Sequence, residues 1–195
     1  MKRFKKILII LLILAAVAAY SVRVWHVNSN LDVSIVKEYE KGEIVPYGQD
    51  FTRASNMIID GYSVEVLDYN IYTKDEFVQL FDIKTVFEDC TKYICTVDIK
   101  IYNDNKETNT ESGIFLPFIP LIGKSDYIMC NEELTMEVNE NLPSMSFSLR
   151  AESNMDVKIA YEMNEPYYTD MGQIEKKDFN IIISEYPTRK VLHLR

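Results

Sequence analysis

The sequence predicts an all-β domain, two antiparallel sheets packed face to face as a sandwich, with one short helix inside the domain and an apolar helix ahead of it. Residues 91–105, TKYICTVDIKIYNDN, provide the first observation. Tyr93, Cys95, Val97, Ile99 and Ile101 alternate with Thr96, Asp98 and Lys100, the period of a strand with one buried and one wet face. The second is recurrence. The same period is read at Tyr62-Val64-Val66, Leu134-Met136-Val138, Met145-Phe147-Leu149, Val157-Ile159-Tyr161-Met163 and Phe179-Ile181-Ile183. So many one-sided strands bury their apolar faces best against a second sheet. The third is punctuation, since Asp60-Gly61, NDNKETNTESG, NENLP and AESNMD fall between the strands as polar turns.

The helix is expected in YTKDEFVQLFDI. Thr73 with Glu76 three residues on forms a capping box, and Phe77, Leu80 and Phe81 share a helical face. It is expected to plug one end of the sandwich. A chain of 195 residues, 47% hydrophobic, with 13 Tyr, 9 Phe, 6 Gly and 6 Pro, is too apolar for disorder and is sized for one folded unit beside its leader.

The N-terminus supplies that leader. Lys2, Arg3, Lys5 and Lys6 precede an unbroken apolar run from Ile7 to Tyr20, the arrangement of an export signal whose basic flank stays inside. Two fates are open. Val17-Ala18-Ala19 offers small residues for cleavage near Ala19 and release, whereas continuation through Trp25 approaches the roughly 20 residues that cross a bilayer. The expected organisation is a signal or transmembrane helix over 1–25, a stalk (HVNSNLD) and approach to the first strand over 26–37, and the sandwich over 38–195, outside the cell. The membrane is then the first partner, and another surface protein the second.

Charge and cysteine content exclude several classes. Residues 1–20 hold four bases and no acids, so the remainder carries 17 bases against 30 acids, or −13. That balance argues against nucleic acid and anionic lipid surfaces. Three cysteines, Cys90, Cys95 and Cys130, are too few for a disulfide framework, and five extended residues separate Cys90 from Cys95 by about 16 Å, too far to bridge. Buried thiols are expected.

A resemblance enters with the order YEKGEIVPYG, GYSVEVLDYNIYTKDEF, KYICTVDIKIYNDN, SMSFSLRAESNMDVKIAYEM and FNIIISEYPTRKVLHLR. Over residues 38–195 it resembles uncharacterised exported proteins of Gram-positive bacteria of the Clostridium and Blautia type. These are similar to telokin-like, immunoglobulin-like surface and lipoprotein domains, in which a valine-rich strand ending in Asn (here Val97 to Asn103) and a Phe-x-Leu strand (Phe147 to Leu149) recur. The lipoprotein cysteine is absent and FLPFIPLIGKSDY is unusually apolar. The resemblance implies an immunoglobulin-like fold and a surface location, with no activity or site residues attached.

Chemistry is sparse. The two histidines, His26 and His193, build no Ser-His-Asp or Cys-His arrangement, and no Cys-x-x-Cys or His-x-x-x-His marks zinc. No catalytic residue and no cofactor is assigned. A weak calcium alternative rests on the acids and amides of DIKIYNDNKETNTE, with Asp104, Asn105 and Glu107 at its centre, though the spacing and glycine of a helix-loop-helix site are missing. Binding is expected at two places. GIFLPFIPLIGK, broken by two prolines, offers Phe115, Phe118 and Ile119 as an exposed apolar loop, and NEPYYTDMG offers Tyr167 and Tyr168. The expected function is a membrane-anchored extracellular binding domain, with a hydrolase using paired carboxylates, or a structural subunit of an envelope complex, as alternatives.

Overall fold

The computed structural model describes residues 2–29, 35–52, 59–85, 87, 90–108, 112–123, 126–164, 167–174 and 176–195, without the side chains at 2, 3, 5, 8, 10 and 27–29. The chain divides into two compact units, Met1–Val33 and Ser34–Arg195.

The described residues of the first unit form a helix, α1 (Lys2–Ser29). Among the described residues no helix is long and apolar enough to cross a membrane. The membrane-crossing segment expected from the sequence is therefore not met by those residues; of the stalk expected over 26–32, residues 26–29 continue α1 and residues 30–32 lie outside the described residues.

The second unit is a sandwich-like arrangement of sheets. Its strands are β1 (Ile35–Tyr39), β2 (Val45–Pro46), β3 (Tyr62–Thr73), β4 (Thr91–Asn103), β5 (Ile114–Phe115), β6 (Leu121–Ile122), β7 (Tyr127–Ile128), β8 (Ser146–Phe147), β9 (Ser153–Asn164), β10 (Asn180–Ser184) and β11 (Thr188–His193). They form a four-stranded sheet in the order β2-β3-β4-β9, a five-stranded sheet in the order β1-β11-β10-β6-β7, and the small pair β5-β8. One core joins them: Val64, Val66, Cys95, Val97, Ile99, Ile101, Ile159 and Tyr161 from the first sheet lie in one buried cluster with Leu121, Ile181, Ile183 and Leu192 from the second.

Period-2 patterning located the long strands, and a bulge adjusts one of them. In β3 the register against β4 shifts between Val66 and Asp68. The extra residue, Leu67, turns to solvent, and Tyr69 and Ile71 return to the core face opposite Val97 and Cys95. The turn before β3 needs its glycine. Gly61 has φ +81, and a Cβ there would meet the Asn105 carboxamide at 2.2–2.4 Å.

Four expectations are corrected. The pairing is not wholly antiparallel, because β1 runs parallel to β11 from Ile35↔Thr188 to Tyr39↔Leu192. The strand expected at Leu134-Met136-Val138 is a helix, α3 (Glu132–Glu137). Asn131 caps it by accepting from the Leu134 N–H at 2.9 Å, and Glu132 and Glu133 sit favourably in its first turn. The expected single helix has company, since α2 (Lys74–Phe81), α3, α4 (Met171–Ile174) and a 3-10 turn over Leu116–Phe118 all occur. The wet face of β4 is partly covered. Ile94 and Ala160, on the side of the sheet away from the main core, pack with Phe77 of α2, Phe87 and Leu134 of α3 in a second cluster.

The capping box of α2 forms as expected: Thr73 Oγ1 accepts from Glu76 N–H and the Glu76 carboxylate accepts from Thr73 N–H at 2.9 Å. Instead of plugging one end of the sandwich, its apolar face covers the outer side of β3 and β4, where the Phe77 and Phe81 rings lie 4.9 Å apart. Beyond this cover the outer face is a charge ladder. Asp98 sits opposite Lys158 and Lys100 opposite Asp156, both as ion pairs, so the strand that patterns most clearly is a wall with neutralised charges.

β9 is an edge strand, and its free edge is closed by α3. Asn139 Nδ2 donates to Lys158 C=O at 2.7 Å and its Oδ1 accepts from Lys158 N–H at 2.9 Å, as a neighbouring strand would. Ala160 N–H donates to Thr135 Oγ1 at 3.1 Å, and Ala160 C=O accepts from Asn131 N–H at 2.8 Å. Unpaired edges invite pairing with other chains, and at Lys158 and Ala160 this one is occupied.

Candidate binding cleft

Of the three residues proposed from the proline-broken stretch, one is core. Ile119 is 1% exposed, with Ile114, Leu116 and Leu121 equally buried, so Ile119 is withdrawn as a binding residue. The 3-10 turn opened by Pro117 folds the stretch back over the sandwich, and Ile119 C=O accepts from the buried Tyr161 hydroxyl at 2.8 Å. Phe115 and Phe118 remain half-buried and pack edge to face at 4.6 Å, lining a narrow crevice with Phe51 and Ile183. Deleting residues 114–122 would remove core, so that stretch cannot be cut out with the fold left intact.

Asp104, Asn105 and Glu107 do not converge on a cation. Asn105 Nδ2 donates to Asp60 C=O at 3.0 Å and to Asn103 Oδ1 at 2.9 Å, which ties the loop to the Gly61 turn. Among the described residues no three His, Cys, Asp or Glu side chains are grouped to hold a metal ion. Glu111, also counted in that loop, lies outside the described residues.

The tyrosine pair leads to a cleft of about 530 Å³, within the size range of small-molecule sites. Its walls are the run 126–131, the end of β9 at Glu162 and Asn164, and Tyr167 with Tyr168. The local causes are plain. β7 pairs with β6 for only two residues, and the following chain is held against β9 where Asn131 N–H meets Ala160 C=O. A gap is left between that segment and the last residues of β9.

The two tyrosines play different parts. Tyr167 is 71% exposed, whereas Tyr168 is 3% exposed and its hydroxyl donates to Asp126 Oδ2 at 2.7 Å. Lys177 Nζ donates to the same oxygen at 3.1 Å and lies 4.4 Å from the centre of the Tyr168 ring. Burial, then the hydrogen bond to Asp126, raises the Tyr168 phenol well above its ordinary value. Glu162 is likewise occupied: Oε2 accepts from Thr91 Oγ1 at 2.7 Å and Oε1 from Asn131 Nδ2 at 2.6 Å. Asn164 differs, because its side-chain oxygen is buried with no hydrogen-bond partner.

Asp126, Glu162, Asn164 and Cys130 were not legible as site residues in the sequence. They stand in no motif, and only the meeting of β7 with the end of β9 brings them together. His193 is half-buried on β11, with Nδ1 2.7 Å from Asn180 Oδ1 and Nε2 3.5 Å from Glu38, and faces no cysteine in these contacts.

Burial pushes the Cys130 thiol up to about 12, with Glu132 adding to the effect. The unfolded thiol ionises near 9, so the contribution of Cys130 to stability is constant below pH 9 and is lost as pH rises from 9 towards 12. Iodoacetamide at pH 8 should therefore modify exposed Cys90 and spare Cys95 and Cys130 in the native protein, as read by peptide mass mapping. Labelling of Cys130 as fast as Cys90 would contradict this.

Fold and site together define a β-sandwich domain with a lateral cleft of mixed polarity. The chain belongs to the DUF5028 family, a domain of unknown function, which matches residues 36–190. No curated protein matches the sequence. Similar solved structures come from Gram-positive bacteria. The yjhA protein of Bacillus subtilis is 8% identical, with 77% of this chain and 85% of that chain covered and a TM-score of 0.44. An uncharacterised β-sandwich protein of Clostridium difficile is 9% identical, with 82% and 95% covered and a TM-score of 0.42. A conserved hypothetical protein of Bacillus anthracis is 11% identical, with 78% and 96% covered and a TM-score of 0.44.

Proposed function

We propose that this protein is an exported, membrane-tethered binding domain of the immunoglobulin-like kind, whose ligand site is the cleft beside Tyr167. The observation that carries the binding reading is the combination of cavity and side chains. A cleft of about 530 Å³ is lined by the exposed Tyr167 ring together with the polar side chains of Asp126, Asn131, Glu162 and Asn164. Such sites fix a ligand by shape and by a few polar groups. The tether reading is supported by the sequence of the N-terminal segment, where Lys2, Arg3, Lys5 and Lys6 precede an unbroken apolar run from Ile7 to Tyr20.

The test uses the full chain, 15N-labelled, in phosphocholine micelles. A mixture of small polar fragments should shift amide signals at 126–131, 162–164 and 167–168. Shifts confined to other regions would defeat the binding reading, and a mature cellular protein whose mass lacks residues 1–19 would defeat the tether.

A second reading, hydrolysis by paired carboxylates, is favoured by one fact: Asp126 and Glu162 line the same cleft. Each already accepts two internal hydrogen bonds, which is why binding is preferred.

A further inference from the structure

We infer that this chain pairs with a second copy of itself along β1, so that two five-stranded sheets join as one across a two-fold axis. The edges of the sheets come first. Among the described residues, β9 is covered at Lys158 and Ala160, while β2 and β7, which end the other sides of the two sheets, are two residues long and β2 closes on Pro46. β1 is different. It has five residues, ends its sheet with no strand beyond it among the described residues, and leaves Ile35 and Val36 more than half exposed. A free strand edge with apolar side chains is a template for another strand.

The faces of β1 decide which strand suits it. Tyr39 packs on the core beside Leu192, so Ile35, Lys37 and Tyr39 point to the core side and Val36 and Glu38 to the other. On that other side Arg189 of β11 lies beside Val36. Arg189 is half-buried and, among the described residues, pairs with no carboxylate. Glu38 is exposed, 3.5 Å from His193.

A two-fold axis keeps each face on its own side, so an antiparallel copy is centred on a single residue, and the three central residues of β1 give different neighbours. Centred on Lys37, the pair sets Ile35 opposite the second copy's Tyr39 and Val36 opposite its Glu38. Arg189 and that Glu38 then stand two strand spacings apart, about 10 Å between Cα atoms, a gap that two long side chains close across a valine. The axis makes this ion pair twice. Centring on Val36 instead puts the two Arg189 in one row without an acid. Centring on Glu38 opposes the two Glu38 and sets Ile35 against Lys41, which is held by Asp68 at 2.7 Å. The Lys37 register carries one unfavourable contact, because two lysines meet at the axis.

The experiment follows the full chain in density-matched phosphocholine micelles by sedimentation equilibrium. The wild type should show a monomer–dimer equilibrium that Glu38→Arg and Arg189→Glu each weaken by about tenfold or more. An equimolar mixture of those two variants should associate again, since both rows of the mixed pair hold opposite charges, and Lys37→Thr should tighten the dimer. Cross-linking reads the register separately, with Cys90→Ser in every sample. Lys37→Cys with copper phenanthroline and air should give a covalent dimer on a non-reducing gel, because opposed Cα atoms at the axis lie about 4.5–5.5 Å apart, within bridging range. Ile35→Cys should not, its two copies being displaced by about 13 Å along the strands. A monomer at every concentration with no Lys37→Cys cross-link overturns the inference. So does a dimer indifferent to both charge reversals, a mixture that associates no better than its components, or Ile35→Cys linking as fast as Lys37→Cys.

Discussion

Replacing Lys190 by methionine is expected to cost about 3–5 kcal/mol of folding stability, the range for breaking one partner out of a buried ion pair. Lys190 is 6% exposed, on β11, and its three ammonium donors have three acceptors: Asp50 Oδ2 at 2.7 Å, Pro46 C=O at 2.5 Å and Tyr47 C=O at 2.8 Å. Asp50 also accepts from Thr188 N–H at 3.2 Å, so one carboxylate and one ammonium lock the segment after β2 onto the last strand. Methionine matches the stem but leaves Asp50 buried and unpaired, with two carbonyls stranded. For a chain of this size each kcal/mol moves the melting temperature by about 2–4 °C, so the shift should be roughly 6–20 °C. Thermal unfolding followed by circular dichroism measures it. The double variant Lys190→Met with Asp50→Asn should lose less than the two single losses combined, because the second change removes the orphaned charge. A loss below about 1 kcal/mol, the level of a surface pair, would show that water reaches Asp50 and that the lock is not buried.

Asn139→Ala should be the next most damaging change, at about 2 kcal/mol, because it strands backbone groups on a sheet edge instead of merely removing a contact. The Asn139 carboxamide makes three bonds, to Thr135 C=O at 2.6 Å and to both backbone groups of Lys158. Its loss reopens β9 as a pairing edge. Two readouts follow, faster hydrogen exchange at the Lys158 amide and concentration-dependent association by sedimentation. Thr135→Val should act in the same direction one pair further along, at Ala160. If Asn139→Ala leaves both Lys158 protection and the monomer fraction untouched, α3 is not guarding the edge.

This edge also shows why the sequence was read wrongly there. Leu134, Met136 and Val138 alternate as a strand does, yet 134 and 138 are also one helical turn apart, and a six-residue segment cannot distinguish the two periods. What decides is Asn131, whose cap starts a helix, and the need of β9 for a neighbour. In GIFLPFIPLIGK the two prolines keep the stretch from being one strand throughout, and only Ile114–Phe115 and Leu121–Ile122 pair as strands, the latter inside the five-stranded sheet. Whether Ile119 faced solvent or core depended on where the stretch folded back.

The cleft was half legible. Tyr167 and Tyr168 were singled out as aromatic residues in a proline-bearing turn, but the sequence could not divide their roles. Asp126 stands 42 residues from Tyr168 and 51 from Lys177, and no local pattern joins them. Phe115 and Phe118 were found as half-buried apolar side chains in a separate crevice. Asp104 and Asn105 serve the turn at Gly61, where Asp104 N–H donates to Gly61 C=O and Asn105 packs on Gly61.

By itself the sequence determined the periods: which residues alternate, where chains turn, that Thr73 and Glu76 would start a helix, and that the N-terminal segment is apolar behind a basic flank. Those are local properties, set by side-chain direction along a strand or helix and by a few capping and turn residues. The tertiary structure decided everything that needs two distant segments in contact. It made β1 parallel to β11, turned an alternating segment into the helix that closes β9, buried Lys190 with Asp50, and opened a cleft where β7 stops short beside the end of β9. Such outcomes depend on which surfaces must cover one another and which polar groups must find partners, and no window of sequence contains that information.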